Sequence, residues 1–257
     1  MCRHLAYLGP AVPLSAFLLD APHSLAKQAW APADMRGGGT VNADGFGVAW
    51  YPRAGPPVRY RSAMPIWSDA ALPRLAAVTP ASAMLAAVRS ATVGMPVTES
   101  AAAPFVDGRW LFSHNGVVRG WPQSIAGLAA DLPIEDLLTA EAPVDAVTLF
   151  SLVRHQMRAG KRPEEVVPSL IAEVARVAPD SRLNLLLTDG TRIIATTWGH
   201  ALSVRAGDGA VLVSSEPLDD HPSWRPVPDR HLLVATPSSL SLTPLGDGFD
   251  GEVPRRA

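Results

Sequence analysis

Cysteine is almost absent from this 257-residue chain, with Cys2 the only one. A single thiol cannot close an internal disulfide, so a stapled secreted fold is excluded, and it cannot build a multi-cysteine zinc site. Lysine is nearly as scarce, occurring only at Lys27 and Lys161, so the cationic charge is almost all arginine. The formal net charge is −2 and no basic run occurs. That removes the electrostatic footprint of a nucleic-acid or membrane-surface binder. No apolar run approaches the ~18 residues of a membrane span. Pro10 and Pro13 break the apolar stretch that a signal peptide would need after Arg3 and His4. The histidines form no i,i+4 pair and no H-x-H, and Cys2-x-His4 alone is a thin metal site. "RGGGTVNADGFGVAWY" is glycine-rich but lacks the G-x-x-x-x-G-K-[ST] phosphate loop, and no G-x-S-x-G elbow occurs. These absences predict a soluble cytoplasmic protein with a reduced thiol and with neither metal nor cofactor.

What is present is a hydrophobic fraction of 47%, ample for a core. Short strand-like segments dominate: Phe46–Tyr51, Met84–Ser90, Arg109–Ser113, Leu183–Thr188, Arg192–Thr197 and Ala210–Ser214. Asp189-Gly190 and the "GDG" at Gly207–Gly209 read as hairpin joints, because Asp-Gly supplies positive φ angles. In "PVDAVTLFSLVRHQMRAG", Val147, Phe150, Val153 and Met157 recur at helical spacing and Gly160 is a stop. In "RPEEVVPSLIAEVARVAP", Val167, Leu170, Ile171 and Val174 form a stripe after an acidic first turn. A shorter helix is expected around "SDAALPRLAAV". Strands, then helices, then strands argue against alternating βαβ units and for a layered α+β domain. We expect one domain over residues 2–250 and a frayed tail over 251–257.

Four features can carry chemistry. Removal of Met1, which aminopeptidases perform before small residues, would give Cys2 a thiol and a free α-amine on one residue. α-Amines titrate within about a unit of thiols, so the amine can serve as the thiol's base. The alternative is a small apolar side chain at the start of a strand. Asn115-Gly116 in "SHNGVV" offers an amide N–H and a backbone N–H free of a Cβ, as an oxyanion hole requires; it also reads as a common hairpin turn. Arg89 sits in the apolar run "LAAVRSAT", where its planar fork would suit a substrate carboxylate or simply face outward. Asp145 could receive a substrate ammonium or cap its helix.

Taken together and in order, Cys2, "NADGFGVAWY", "AAVRSAT", "SHNG" and Asp145 resemble the class II glutamine amidotransferase domain of the N-terminal nucleophile hydrolases. The resemblance spans nearly the whole chain. It implies a four-layer αββα sandwich, two stacked and mainly antiparallel sheets flanked by helices. A closer likeness, through "MCRHLAYLG", "VRSATVGMPVTESAAAPF", "RLNLLLTDGTRIIATTWG" and "SSEPLDDHPSW", is to the γ-glutamyl-hercynylcysteine S-oxide hydrolases of ergothioneine biosynthesis, in which the domain stands alone. The resemblance implies Cys2 as nucleophile, its α-amine as base, and Asn115 and Gly116 as oxyanion hole. It implies Arg89 and Asp145 for the α-carboxylate and α-ammonium of the glutamyl group, with Arg36, His114 and the loop Asn42–Gly47 around the pocket. One departure stands out: Ala146-Val147 follow Asp145, where many amidotransferases carry Thr-Glu. Trp30, Trp67, Trp198 and Trp224 are candidates for holding a trimethylammonium group, with core packing as the alternative. The implied partner is a small-molecule γ-glutamyl substrate, with a homo-oligomer or a transient pathway-enzyme contact left open. The rival readings are a glutaminase feeding ammonia to a separate synthase, and a non-catalytic binding protein on the same fold.

Overall fold

Two antiparallel sheets stacked face to face organise the chain, in a computed structural model that describes residues 2–36 and 41–246. The strands are β1 (Arg3–Pro13), β2 (Phe46–Trp50), β3 (Val58–Ser62), β4 (Pro80–Val88), β5 (Phe105–Asp107), β6 (Trp110–Val117), β7 (Arg182–Thr188), β8 (Ile193–Thr197), β9 (Ser203–Gly207), β10 (Ala210–Ser214), β11 (Arg225–Pro226), β12 (His231–Thr236) and β13 (Ser239–Pro244). The helices are α1 (Leu25–Trp30), α2 (Leu72–Val78), α3 (Ala126–Ala129), α4 (Ile134–Leu138), α5 (Asp145–Arg158) and α6 (Pro163–Val177). One sheet runs β11-β9-β10-β1-β4-β2-β3 and the other β13-β12-β8-β7-β6-β5.

Side-chain alternation sorts the core into three slabs. Leu5 and Tyr7 of β1 point outward, with Met84, Val88 and Phe46, onto Leu14, Leu25, Ala29 and Leu72 on the helical side. Ala6 and Leu8 point inward and meet Leu111, Leu186 and Ile193 of the opposite sheet. On the far side, Leu183, Leu185 and Leu187 pack under α5 and α6, where Phe112 stacks on Phe150 with ring centroids 4.9 Å apart. The order helix, sheet, sheet, helix is the expected α+β sandwich.

Several elements differ from the sequence-based expectation, each for a physical reason. The strand expected over Arg109–Ser113 runs on to Val117, because β6 pairs with β7 through Asn115↔Asn184 and Gly116↔Leu183. Asn115-Gly116 is therefore strand and not turn. The strand expected to begin at Met84 begins at Pro80, paired with the far end of β1. Asp189-Gly190 is not a two-residue turn: the loop spans Asp189–Arg192, and the Asp189 carboxylate accepts from the N–H groups of Thr191 and Arg192. The "GDG" joint does form as expected, with Asp208 at φ 53° and Gly209 at φ 72°. Pro73 is tolerated in α2 because it sits in the first turn, where its missing N–H costs nothing. The expected tail, residues 251–257, lies outside the described residues.

Candidate active site

Cys2 immediately precedes β1, the strand at the centre of the seven-stranded sheet. It is half-buried, and its Sγ donates to the Ser90 carbonyl at 3.7 Å. The next residue anchors this end of the strand. Arg3 Nε lies 2.9 Å from Glu216 Oε1, both side chains being about 3% exposed, and Nη2 donates to the Asp34 carbonyl. Glu216 also pairs with His23 at 2.6 Å and accepts from the N–H groups of Ala33 and Asp34. Burial alone would raise the Glu216 carboxyl, but the His23 contact, the two N–H donors and Arg3 hold it below its ordinary value.

Cys2 opens onto a pocket that also contains Arg89, Ser113, His114, Gly116 and Asp145. β6 brings Ser113, His114 and Gly116, α5 brings Asp145, and Arg89 directly follows β4. Arg89 is buried, and its Nη1 donates to the Pro96 carbonyl at 2.8 Å. The Asn42–Gly47 loop shapes that corner through its backbone. Arg89 N–H donates to the Gly45 carbonyl, Asp44 N–H donates to the Arg89 carbonyl, and Asp44 Oδ2 accepts from Ala91 N–H at 2.8 Å.

Asp145 is the first residue of α5, so its carboxylate meets the positive end of that helix. Its Oδ2 accepts from Val118 N–H at 2.9 Å and its Oδ1 from Ala146 N–H at 2.8 Å. His114 reaches the Arg182 carbonyl with Nε2 at 2.9 Å. A carbonyl only accepts, so Nε2 carries a proton. The ring's Nδ1 faces Asp145 Oδ2 at 3.9 Å.

Asn115 points the other way, into the space between the sheets. It shares a face of β6 with Ser113, whose Oγ meets His4 Nδ1 from β1 at 3.1 Å. Asn115 is fully buried, yet neither amide atom has a hydrogen-bond partner among the described residues. Gly116 could not be any larger residue: a Cβ there would lie 1.9 Å from the Arg182 carbonyl oxygen.

The family model described as class-II glutamine amidotransferases matches residues 16–206. The chain belongs to that family. The chain is 40% identical over 245 residues to a γ-glutamyl-hercynylcysteine sulfoxide hydrolase of Mycolicibacterium smegmatis, covering 95% of this chain and 100% of the relative. It is 43% identical over 246 residues to a protein of the same name from Mycobacterium tuberculosis, covering 95% and 97%. Among solved structures it resembles a glutamine aminotransferase class-II domain protein of Silicibacter pomeroyi, with a TM-score of 0.65, 21% identity, and 95% and 100% of the two chains covered.

Not every expected residue reaches the Cys2 pocket: Asn115 is not among the residues that line it. Arg36 does not reach it either. Its guanidinium pairs with Asp34 at 2.6 Å, and it lies in a second cavity with His23, Glu216 and Asp219. None of the four tryptophans lines the Cys2 pocket either. Trp30 is exposed under the Lys27 ammonium, and Trp67 is exposed. Trp198 lies under Arg230, and Trp224 lies under Arg205 and donates to Asp219. The aromatic ring that does line the pocket is Phe105. Among the described residues no helix is long and apolar enough to cross a membrane, and no group of three or more His, Cys, Asp or Glu is placed to hold a metal. Sequence reasoning missed Asp44 as the residue bracing the Arg89–Ala91 turn, although an Asp before Gly in "NADGFG" was the signal.

Proposed function

We propose that this chain is one catalytic domain that hydrolyses the γ-glutamyl amide bond of γ-glutamyl-hercynylcysteine S-oxide. The products are glutamate and hercynylcysteine S-oxide, a step of ergothioneine biosynthesis. The observation that carries the reading is the meeting of Cys2, Arg89, His114 and Asp145 in one pocket. The identity along nearly the full length of the two mycobacterial proteins supports the choice of leaving group.

In this reading Met1 is removed and the α-amine of Cys2 takes the thiol proton. The thiolate attacks the γ-carbonyl, and the oxyanion is met by Asn115 Nδ2 and the Gly116 N–H. The α-ammonium of Cys2 returns its proton to the departing amine as the C–N bond breaks. Water then adds to the γ-glutamyl thioester, and glutamate leaves as the thiol re-forms. Arg89 takes the substrate α-carboxylate. The α-ammonium donates to Asp145 Oδ2, beside which His114 Nδ1 lies at 3.9 Å. Arg36 has no part.

The test is glutamate release from γ-glutamyl-hercynylcysteine S-oxide, from glutamine and from a simple γ-glutamyl amide. The sulfoxide should be cleaved fastest, Cys2→Ala should release nothing, and intact mass should show Met1 missing. A glutaryl analogue lacking the α-amine leaves Asp145 unpaired and should fail as a substrate. Equal rates on glutaryl and glutamyl substrates would remove Asp145 from recognition. Preference for free glutamine would point to ammonia supply instead.

A further inference from the structure

Behind Cys2, three buried side chains carry polar atoms that no described residue satisfies: His4 Nε2, His200 Nδ1 and both amide atoms of Asn115. None of the three residues is more than 2% exposed. Native proteins rarely leave such atoms unpaired, so each calls for a partner. They also converge. His4 reaches Ser113 across the gap between the sheets, and Asn115 lies on the same face of β6 as Ser113. Asn184 stands directly opposite Asn115 in the β6–β7 ladder and grips His200. Its Oδ1 accepts from the His200 N–H at 3.2 Å and its Nδ2 donates to the His200 carbonyl at 3.0 Å.

Their protonation follows from the neighbours. Arg182 Nε can only donate, so His200 Nε2 accepts at 2.9 Å and the ring proton sits on Nδ1. Burial, reinforced by the positive charge of Arg182, pushes the His200 pKa down to about 3. Burial does the same to His4, also to about 3. Both rings are therefore neutral at working pH, and His200 Nδ1 carries an N–H that no described residue accepts. For Asn115 Nδ2 to face a substrate carbonyl, Oδ1 must point away from it and needs a donor. His200 Nδ1–H is an unspent donor in that neighbourhood.

We propose that one buried water joins these atoms, accepting from His200 Nδ1–H and donating to Asn115 Oδ1 and His4 Nε2, and so holds the Asn115 amide with Nδ2 toward the carbonyl attacked by Cys2. Three partners are the usual complement of a buried water. His4, through Nδ1–H to Ser113, and His200, through Arg182, are then positioning residues that act by way of Asn115. The inference rests on the reading of Asn115 as an oxyanion donor.

Two substitutions separate this role from packing. His200→Asn keeps an N–H near the Nδ1 position, whereas His200→Gln keeps only an acceptor toward Arg182. With the γ-glutamyl sulfoxide, His200→Gln should lose about tenfold in kcat with KM within about twofold, and His200→Asn should stay within about threefold of the wild type. Because the effect passes through Asn115, adding His200→Gln to Asn115→Ala should slow it no further. Equal losses in both His200 variants, or additive losses in the double variant, would overturn the positioning role. A crystal structure of the wild-type protein should show the three-coordinate water, and a dry site or a direct His200–Asn115 bond would overturn the water site. Full turnover by Asn115→Ala would remove the oxyanion reading, and the catalytic consequence with it, while the water itself is judged by the crystal structure.

Discussion

Gly116 shows how strictly one position can be fixed. The strands β6 and β7 approach so closely there that a Cβ would meet the Arg182 carbonyl carbon at 2.6 Å and oxygen at 1.9 Å, and His114 Nε2 at 2.6 Å. These are backbone atoms and a hydrogen-bonded ring, so none can swing aside cheaply. Gly116→Ala should push the strands apart, break the His114–Arg182 hydrogen bond and destabilise the fold by about 1–3 kcal/mol. Turnover should fall as well, because the Gly116 N–H moves with the strand; unfolding curves and glutamate release measure the two effects. An unchanged unfolding midpoint would mean that β7 yields there. For comparison, Asn115→Ala leaves the backbone in place and should cost two to three orders of magnitude in turnover, about the worth of an oxyanion donor at ~2.7–4 kcal/mol. At this scale the sequence was partly legible. Cys2, Arg89, His114, Gly116 and Asp145 were singled out and share one pocket. Arg36 misled because an arginine beside a glycine-rich loop looks like a pocket residue, while its charge is spent on Asp34 two residues away. His200 was invisible because its partners, Arg182 and Asn184, gain meaning only once β7 lies beside β6.

Elements were read best where one face of a helix met one apolar surface. The stripe Val147, Phe150, Val153 located α5, and Val167, Leu170, Ile171, Val174 located α6, since both press onto the outer face of the second sheet. Reading failed where two signals conflicted locally. Asn115-Gly116 carries the chemistry of a turn, but the ladder to Asn184 and Leu183 keeps it extended. β1 was not read as a long strand, because Arg3–Leu8 are buried on both faces and no alternation of apolar and polar positions marks them. Which strands lie side by side was beyond reach: β1 pairs with β10, Leu5 standing opposite Ser214. The helix layer also positions the site, because α5 begins at Asp145. Phe150 holds that helix on the sheet through its near-parallel stack on Phe112, an interplanar angle of 9°. Phe150→Ala should cost about 3–5 kcal/mol, seen as a lower denaturant midpoint at unchanged slope. A loss below about 1 kcal/mol would mean that α5 is held mainly by its contacts with α6.

For the molecule as a whole, the buried polar groups fix how the fold answers to acid. His4 and His200 have their pKa values pushed from an ordinary 6.5 down to about 3, in both cases chiefly by burial. The unfolded chain therefore takes up these protons near pH 6.5, while the folded chain refuses them until about pH 3. Stability is fully present above pH 6.5 and is lost progressively as the pH falls below it, by at most about 1.4 kcal/mol per pH unit for each histidine. Glu216, held below its ordinary 4.5 by His23, backbone N–H groups and Arg3 against the opposing effect of burial, adds a second loss that begins only below about pH 4.5. The two processes occupy different windows, so the acid limb should steepen twice. Denaturant unfolding from pH 7.5 to 5 isolates the histidines. Stability should decline across that range in the wild type and less steeply in His200→Asn, which has one fewer proton to refuse. A profile that stays flat from pH 6.5 to 5, or one that His200→Asn leaves unaltered, would mean that the fold admits a charged ring between its sheets, and a neutral histidine layer could then no longer be what orients Asn115.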